Sequence, residues 1–192
     1  MSHFFAYLAR MKFIQRWGLM RNTQLENIQE HSLQVAMIAH GLALIRNRLY
    51  GGNLDVSRVA VLALFHDVSE VITGDLATPI KYFNPKIKSA YNEIEEVASQ
   101  KLLNMLPEEL CEEYHELLFH HDKDAALWAL VKSADKIAAY LKCLEELKSG
   151  NNEFIQAEKL LKAKLREMNQ PEVNYFMEKF VPSFALTLDE LG

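Results

Sequence analysis

The sequence predicts an all-α fold in which one domain, a helical bundle, covers residues 1–192. Apolar residues recur at three- and four-residue spacing in several segments, and no segment shows the alternation of a half-buried strand. Asparagine, aspartate, proline and glycine separate these segments where helices would begin and end. No linker rich in proline, glycine or serine divides the chain, and its 192 residues are 49% hydrophobic, which is enough to bury a core without disulfides.

The first long helix is predicted to begin at a capping box formed by Asn27 and Glu30 and to end before Gly51 and Gly52. A capping box ties the side chain of the first residue to the backbone of the fourth, and a glycine pair favours a turn after the last helical residue. The apolar side of this helix is predicted to consist of Leu33, Met37, Ile38, Leu42 and Ile45.

A second helix is predicted from about Asp55 to a stop at Gly74, and a loop over residues 75–81 follows it. A continuous helix over this range carries both His66 and Glu70, which are four residues apart. Their side chains are therefore predicted to project from the same helical face. The apolar positions of the helix are Val59, Leu62, Ala63, Phe65, Val68 and Ile72.

The rest of the chain is predicted to continue as helices. Residues 84–106 form a helix opened by an asparagine N-cap and a first-turn proline, and a shorter helix comes after it. A long helix begins at Asp122 or Asp124 and ends at Lys148, before a Gly-Asn pair. Two further helices fill residues 153–180.

The charge balance argues against one class of ligand. The chain has 21 Lys and Arg residues against 26 Asp and Glu residues, which gives a net charge of -5. A protein that binds nucleic acid polymers by neutralising their phosphates needs the opposite sign. We therefore expect no polymeric nucleic acid ligand, whereas a small anionic substrate held by a metal ion and a few local cations remains compatible with this charge.

Cysteine usage and hydropathy predict a cytoplasmic protein that does not bind a membrane. Cys111 and Cys143 lie within helix-like apolar patterns and not in a CxxC spacing, which is typical of a reducing compartment. The apolar N-terminal run is interrupted by Arg10 and Lys12 before it reaches the length of a targeting segment. No other stretch approaches the length needed to span a bilayer.

Four polar side chains interrupt otherwise apolar helical patterns and need an explanation: His31, the dipeptide His66-Asp67, and Asp135. A lone histidine, or Asp135 by itself, could be a partly buried residue with an ordinary hydrogen-bond partner. His66-Asp67 follows a nearly continuous apolar run, where an unpartnered carboxylate would cost several kcal/mol. Two imidazoles and two carboxylates can stabilise one another through one divalent cation and leave coordination positions for water and a phosphate oxygen.

The order His, then His-Asp, then a distant Asp resembles the signature of the HD-domain superfamily. The resemblance extends to Arg16-Trp17 and to residues 27–32 and 66–79, covers essentially the whole chain, and is similar to the 5'-deoxynucleotidase branch of that superfamily. It implies an HD-type helical bundle and a homodimer. It also implies hydrolysis of deoxyribonucleoside 5'-monophosphates to deoxyribonucleosides and inorganic phosphate, with selectivity against ribonucleotides. One divalent transition metal ion, Co²⁺, Mn²⁺ or similar, is implied with four ligands: His31, His66, Asp67 and Asp135.

Two carboxyl groups are the candidates for proton transfer. Glu70 could orient the attacking water or take its proton, although a solvated surface glutamate is the alternative. Asp75 follows the Gly74 stop on a loop, where it could protonate the leaving alkoxide oxygen. A turn-forming aspartate explains Asp75 nearly as well from its position alone, and the resemblance favours the catalytic role.

The substrate is expected to meet Arg16 and Trp17 first. The fork of Arg16 matches two phosphate oxygens, and the indole of Trp17 offers a flat wall for sugar or base. A helix-end arginine and a core tryptophan are the ordinary alternatives, and the resemblance favours the functional roles of the pair, with Arg16 also catalytic. The full set of expected substrate-binding residues is Arg16, Trp17, His31, Asp67, Asp75, Leu76, Ala77, Thr78 and Lys81.

Other functions stay open at this point. Some HD phosphodiesterases with two metal ions use additional histidines, and His115, His120 and His121 are candidates, although their close spacing leaves little room for an independent site. Related enzymes act on nucleoside triphosphates, cyclic dinucleotides or alarmone pyrophosphates. A non-catalytic metal-binding helical module is a third possibility, and the presence of Arg16, Glu70 and Asp75 argues against it.

Overall fold

The computed structural model describes residues 1–81 and 83–192 and confirms the predicted all-α fold. Within these residues the elements are helices, apart from one isolated antiparallel bridge between Gln15 and Asn27. No helix in the described part of the chain is long and apolar enough to cross a lipid bilayer. The α-helices are α1 (Phe4–Leu8), α2 (Ile28–Leu49), α3 (Val56–Phe65), α4 (Glu70–Thr73), α5 (Thr78–Lys81), α6 (Pro85–Leu103), α7 (Cys111–Leu118), α8 (Ala125–Lys148), α9 (Ile155–Glu167) and α10 (Pro171–Lys179).

The contacts along the chain divide it into two compact units that are interleaved in sequence. The first unit comprises Met1–Arg21, Leu25–Leu33 and Leu64–Ala125. The second comprises Asn22–Gln24, Gln34–Ala63 and Ala126–Gly192. That residues 1–192 form a single domain therefore stays a prediction.

Helix α2 begins where the sequence predicts, because Asn27 caps it. The Asn27 Oδ1 atom accepts the backbone N–H groups of Gln29 and Glu30, at 3.1 and 3.0 Å. The predicted apolar side is wrong in part, since Leu33 and Met37 are exposed. Small residues, which are alanines, decide which face of α2 is buried. The prediction relied on large apolar side chains and therefore missed them. The buried face of the helix in the second unit consists of Val35, Ala36, Ile38, Ala39, Leu42, Ala43 and Ile45.

The predicted continuous helix from Asp55 to Gly74 is also wrong. Helix α3 ends at Phe65, and residues 66–69 form turns before α4 begins. In these turns the N–H of Val68 donates to the carbonyl of Phe65 at 3.2 Å, and the N–H of Glu70 donates to the carbonyl of Asp67 at 3.0 Å. Bonds that span three residues tighten the chain beyond an α-helix and change the directions of the side chains. His66 and Asp67 therefore lie in this break, and Glu70 is the first residue of the next helix.

The remaining predicted elements are confirmed, with one addition. The Asn84 side chain accepts the N–H of Ile87 at 2.9 Å and caps α6, as its sequence predicts. A 3-10 turn over Asp122–Asp124 precedes α8, which ends at Lys148, and α9 and α10 occupy the predicted region near the C-terminus. The predicted loop over residues 75–81 is shorter than expected, because Thr78–Lys81 forms α5.

The core of the first unit anchors the tight turn after α3. Val68 stands between Asp67 and Glu70 and is 2% exposed. It belongs to a buried apolar cluster that also receives the first residue of α2, Ile28. An apolar anchor beside polar residues fixes where those polar residues point, because packed interiors deform little. The cluster consists of Phe4, Met11, Ile28, Val68, Leu102, Leu103 and Leu106.

In the second unit, a buried carboxylate organises the loop ahead of α2. Glu146 on α8 is 1% exposed and pairs with Lys142, which lies one turn earlier and is also buried. Its oxygens also accept the backbone and hydroxyl donors of Thr23 and the side-chain amide of Asn151. Burial raises the pKa of Glu146, but these donors outweigh it and hold the pKa well below the ordinary value.

We expect Glu146→Ala to lower the free energy of unfolding by about 3 kcal/mol, because it leaves the buried ammonium of Lys142 without its counter-ion. The pKa of Glu146 is lower in the folded protein than in the unfolded chain, so its stabilisation is present at neutral pH and declines as the pH falls below about 4.5. The difference in free energy of unfolding between the unmodified chain and Glu146→Ala should therefore become smaller in acid. Urea unfolding at pH 7 and at pH 4 measures both effects.

The matched control is Glu145→Ala, which removes the neighbouring exposed carboxylate. It should change the free energy of unfolding by less than about 0.5 kcal/mol. Equal stability losses for Glu145→Ala and Glu146→Ala would contradict this account of the buried pair.

Candidate metal centre

Three predicted metal ligands come together in the first unit. Suitable donor atoms of His31, His66 and Asp67 all lie within 4.8 Å of one another. The Asp67 Oδ2 atom is 3.1 Å from His66 Nε2 and 3.7 Å from His31 Nε2, and the two imidazole rings have centroids 5.4 Å apart. Two imidazoles and one carboxylate form a mixed nitrogen and oxygen donor set that suits a first-row divalent ion.

Local structure explains why these donors converge. His31 lies in the first turn of α2 and is fully buried, and its N–H donates to the carbonyl of Asn27 at 3.1 Å. The segment before it is fixed by the bridge between Gln15 and Asn27. His66 and Asp67 lie in the tight turn that Val68 anchors in the apolar core. A helix start and a helix break thus present the donors to one point.

The carboxyl group of Asp67 is ionised in these surroundings. Burial raises its pKa, but His66 lowers it by charge and hydrogen bonding, and His31 and Arg16 lower it further. The net result is a pKa well below the ordinary value of an aspartate. An anionic oxygen at the centre of the cluster is the form that a metal cation requires.

The guanidinium of Arg16 lies beside this cluster. Arg16 Nη1 is 3.4 Å from Asp67 Oδ2, and Arg16 Nε donates to Glu26 Oε2 at 3.0 Å. The indole N–H of Trp17 donates to the same Glu26 oxygen at 3.0 Å. The structure therefore brings the predicted substrate-binding pair to the predicted metal ligands. Glu26 was missed from the sequence, because a glutamate just before a helix cap is usually a solvated residue.

Glu70 is buried, so the alternative of a solvated surface glutamate is wrong. Only 6% of the residue is exposed, and its Oε2 atom has no hydrogen-bond partner among the described residues. Burial raises its pKa to about 10, with the charges of Asp67 and Asp75 adding to the shift. The prediction that Glu70 and His66 share one helical face is wrong, since the break separates them, but the same break keeps Glu70 next to Asp67.

Asp75 lies in the loop after Gly74, as predicted. Burial raises its pKa, while Arg16 and the backbone N–H of Trp17 act in the opposite direction. Trp17 itself has a φ of 59°, in the left-handed region that a bulky residue rarely adopts. Asp75 thus contacts the backbone of the residue next to Arg16, which joins the loop after α4 to the segment before α2.

The other predicted substrate residues follow Asp75 along the chain. Leu76 and Ala77 are half-buried, and Thr78 is exposed at the start of α5. Lys81 donates to Glu95 at 2.9 Å and lies 4.6 Å from the centre of the Tyr91 ring. The sequence did not indicate this ion pair, since it joins α5 to α6. The substrate-binding roles of these residues stay predictions.

Asp135 and the additional histidines are the remaining residues for which the sequence suggested a metal-binding role. Asp135 is half-buried on α8, which belongs to the second unit, and its role as a fourth ligand stays a prediction. His115 stacks on Phe119, and its ring centroid is 5.2 Å from that of His121. Within the described residues, the one group of three or more potential ligands is that of His31, His66 and Asp67.

Known 5'-deoxynucleotidases are similar to this chain over its whole length. Residues 3–184 match the family model described as 5'-deoxynucleotidase YfbR-like. A 5'-deoxynucleotidase of Yersinia pestis (strain Pestoides F) is 59% identical over 192 residues, covering 100% of this chain and 98% of the relative. A 5'-deoxynucleotidase of Yersinia pseudotuberculosis (serotype O:3, strain YPIII) is similar to the same extent, 59% over 192 residues, with coverage of 100% and 98%.

Solved structures share the fold at lower identity. An HD-domain phosphohydrolase from Listeria innocua has a TM-score of 0.78 and 24% identity, with 95% of this chain and 88% of that chain covered. The HD phosphohydrolase of cyanophage S-2L, bound to dA and one catalytic Zn²⁺ ion, has a TM-score of 0.66 and 20% identity, with coverage of 93% and 96%. The arrangement of helices is thus that of HD-domain phosphohydrolases.

We expect Co²⁺ or Mn²⁺ to raise the melting temperature of the protein, because an ion that binds only the folded state stabilises it by about 2.7 kcal/mol at a hundred times its dissociation constant. His66→Ala should abolish this increase, since it removes one donor of the cluster. Thermal denaturation over a metal titration, with calorimetric binding, measures the effect.

The control is His40→Ala, which removes an exposed histidine of α2 and should respond to metal like the unmodified chain. Asp135→Ala tests the predicted fourth ligand in the same assay. Full metal stabilisation of the His66→Ala protein would show that the ion binds elsewhere.

Proposed function

Because the chain belongs to the family of YfbR-like 5'-deoxynucleotidases and has the fold of HD-domain hydrolases, we propose that it hydrolyses deoxyribonucleoside 5'-monophosphates at the cluster around Asp67. The products are a deoxyribonucleoside and inorganic phosphate. The observation that carries the proposal is the convergence of His31, His66 and Asp67 beside a guanidinium and a buried glutamate. Possible metal ligands, a cation for the phosphate and a carboxyl group for proton transfer are the groups that hydrolysis of a phosphate monoester needs.

We propose that His31, His66, Asp67 and Asp135 hold one divalent transition metal ion, Co²⁺, Mn²⁺ or similar. The first three fit such an ion by donor type and by the mutual distances of their donor atoms. When bound, the ion polarises a phosphoryl oxygen, lowers the pKa of water and favours the ionised form of nearby carboxyl groups. The ionised state of Asp67 supports its role as the central ligand.

Glu70 is proposed to orient the attacking water and to take its proton. Its Oε2 atom is buried, and neighbouring carboxyl groups raise its affinity for a proton. The bound ion would favour the ionised form of this carboxyl group, and that form can accept a proton as nucleophilic attack begins. The backbone bond from Glu70 to Asp67 keeps this carboxyl group close to the ligand cluster.

Arg16 and Asp75 are proposed to act on the other side of the phosphate. The guanidinium can pair with two phosphate oxygens and with the charge that grows on them during attack. Asp75 has a raised pKa and so retains a proton more readily than an ordinary aspartate, which suits transfer to the leaving 5' oxygen. Both residues contribute to one electrostatic environment, since Arg16 also influences the pKa of Asp75.

The deoxynucleoside is proposed to lie against Trp17 and the chain from Leu76 to Thr78. The indole is fixed through its N–H and offers a flat surface to sugar or base. A rigid wall beside the sugar excludes a 2'-hydroxyl by contact, which accounts for selectivity against ribonucleotides. Lys81 is a further cation at the end of α5, three residues after Thr78, and a substrate phosphate would compete with Glu95 for it.

We also propose a cytoplasmic homodimer. Aromatic side chains lie close together at the end of helix α10, where the ring centroids of Phe176 and Phe180 are 5.1 Å apart. Phe180 and Phe184 are 46% and 37% exposed, and a second copy of the chain would cover them. In the described part of the chain Cys111 and Cys143 form no disulfide, which supports a reducing compartment.

Phosphate release from dAMP, AMP, dATP and an aryl phosphate, each in a series of Mn²⁺, Co²⁺, Zn²⁺ and Mg²⁺, tests the proposed function. We expect dAMP to be hydrolysed with a kcat/KM at least about tenfold above that of AMP, because the 2'-hydroxyl is sterically excluded. Chelation should remove the activity. Two results would contradict the proposal. One is phosphate release from dATP that is faster than from dAMP, and the other is no release from any of the four compounds.

The control for a contaminating phosphatase is Glu70→Gln, which preserves the shape of the side chain but not its ability to accept a proton. This variant should keep its metal content and lose about 100-fold or more in kcat. A parallel loss of metal would instead make Glu70 a ligand.

A further inference from the structure

We propose that Glu26 is a positioning residue that holds the guanidinium of Arg16 and the indole of Trp17 in the orientation needed for substrate. The inference rests on the function proposed above, because it concerns the pair that receives the phosphate and the nucleoside. Glu26 itself acts through these two side chains.

A single carboxylate oxygen joins the two groups. Glu26 Oε2 accepts Arg16 Nε–H at 3.0 Å and Trp17 Nε1–H at 3.0 Å. Glu26 is 9% exposed, and the side chain of Arg16 is 13% exposed, so water competes little for these bonds. Charge-assisted bonds to a shared acceptor fix the two planar groups relative to each other.

The backbone sets the position of this acceptor. The N–H of Arg16 donates to the carbonyl of Glu26 at 2.9 Å, and the N–H of Ile28 donates to the carbonyl of Ile14 at 3.0 Å. These bonds flank the bridge between Gln15 and Asn27 and place Glu26 opposite Arg16. The carboxylate is therefore attached to the same short backbone pairing as the groups that it orients.

Trp17 needs such support, because its backbone conformation is unfavourable. A φ of 59° is rarely adopted by a bulky residue and persists only where the surroundings hold it. Glu26 holds the indole, and the N–H of Trp17 bonds to Asp75. Loss of Glu26 would remove the hydrogen bond to the indole of Trp17 and leave the bond between the Trp17 backbone and Asp75.

The orientation of Arg16 matters because its other end faces the metal ligands. Arg16 Nη1 is 3.4 Å from Asp67 Oδ2, so a guanidinium fixed through Nε directs its fork towards the cluster. A phosphate that contacts both the guanidinium and the cluster requires this alignment. Errors of about 1 Å in such an alignment can cost about 100-fold in rate.

The kinetics of Glu26→Gln, Glu26→Asp and Glu26→Ala on dAMP separate position from charge. Glutamine keeps an oxygen at the same reach, and one oxygen can accept both N–H groups, so we expect its kcat/KM within about fivefold of the unmodified chain. Aspartate keeps the charge but is one methylene too short. Aspartate and alanine should each lower kcat/KM about 30-fold or more, with unchanged metal content.

Two results of this series would overturn the inference. One is that Glu26→Asp retains activity while Glu26→Gln loses it, since charge would then matter and position would not. The other is that Glu26→Ala stays within about threefold of the unmodified chain. Glu93→Ala, which removes an exposed glutamate of α6, is the matched control and should stay within about twofold.

A second background distinguishes failure of this inference from failure of the proposed function. In a protein carrying Arg16→Ala and Trp17→Phe, the further change Glu26→Ala should alter kcat/KM by no more than about twofold, because its targets are gone. A full additional loss in that background would overturn the role of Glu26. If Arg16→Ala and Trp17→Phe leave dAMP hydrolysis unchanged, the proposed substrate site is itself wrong.

Tryptophan fluorescence gives a readout that is independent of activity. The chain has two tryptophans, so Trp128→Phe leaves Trp17 as the single reporter. Glu26→Ala in this background should shift the emission of Trp17 to longer wavelength and lower its anisotropy, whereas Glu26→Gln should not. Identical emission and anisotropy in all three proteins would contradict the positioning role.

Discussion

The half-buried carboxylate of Asp67 is the group on which the candidate centre depends. An ionised aspartate inside a helical protein is costly unless cationic or donor groups surround it. Here two imidazoles and a guanidinium approach one of its oxygens, and they hold its pKa low in spite of burial. The same concentration of donors that stabilises the carboxylate also forms a site for a divalent ion and, beside it, for a phosphate.

Two local features of the chain create this arrangement. The cap of α2 fixes where His31 lies, and the short antiparallel pairing before it brings Arg16 to the same place. The break between α3 and α4 turns His66 and Asp67 towards that point, with Val68 packed in the core as its anchor. In a straight helix from Asp55 to Gly74, the side chains of His66 and Asp67 would point in directions that differ by the fixed rotation between successive helical residues.

Much of this could be predicted from the sequence, and the failures have physical causes. Polar residues inside apolar runs pointed to the ligands, and Asn27 and Asn84 marked helix starts, because these signals are local. The break after Phe65 carries no proline or glycine, so periodicity alone continued the helix. The orientation of α2 depends on which of two apolar faces finds tertiary contacts, and alanines such as Ala39 occupy the buried one. Glu26 was missed because its partners come from a pairing that only the folded chain reveals.

The measurement that tests the central claim most directly is diffraction from crystals loaded with Co²⁺, recorded at the cobalt absorption edge. The account predicts one anomalous peak about 2.1 Å from nitrogen atoms of His31 and His66 and from an oxygen of Asp67. A peak at the histidines of α7, with none at Asp67, would contradict it.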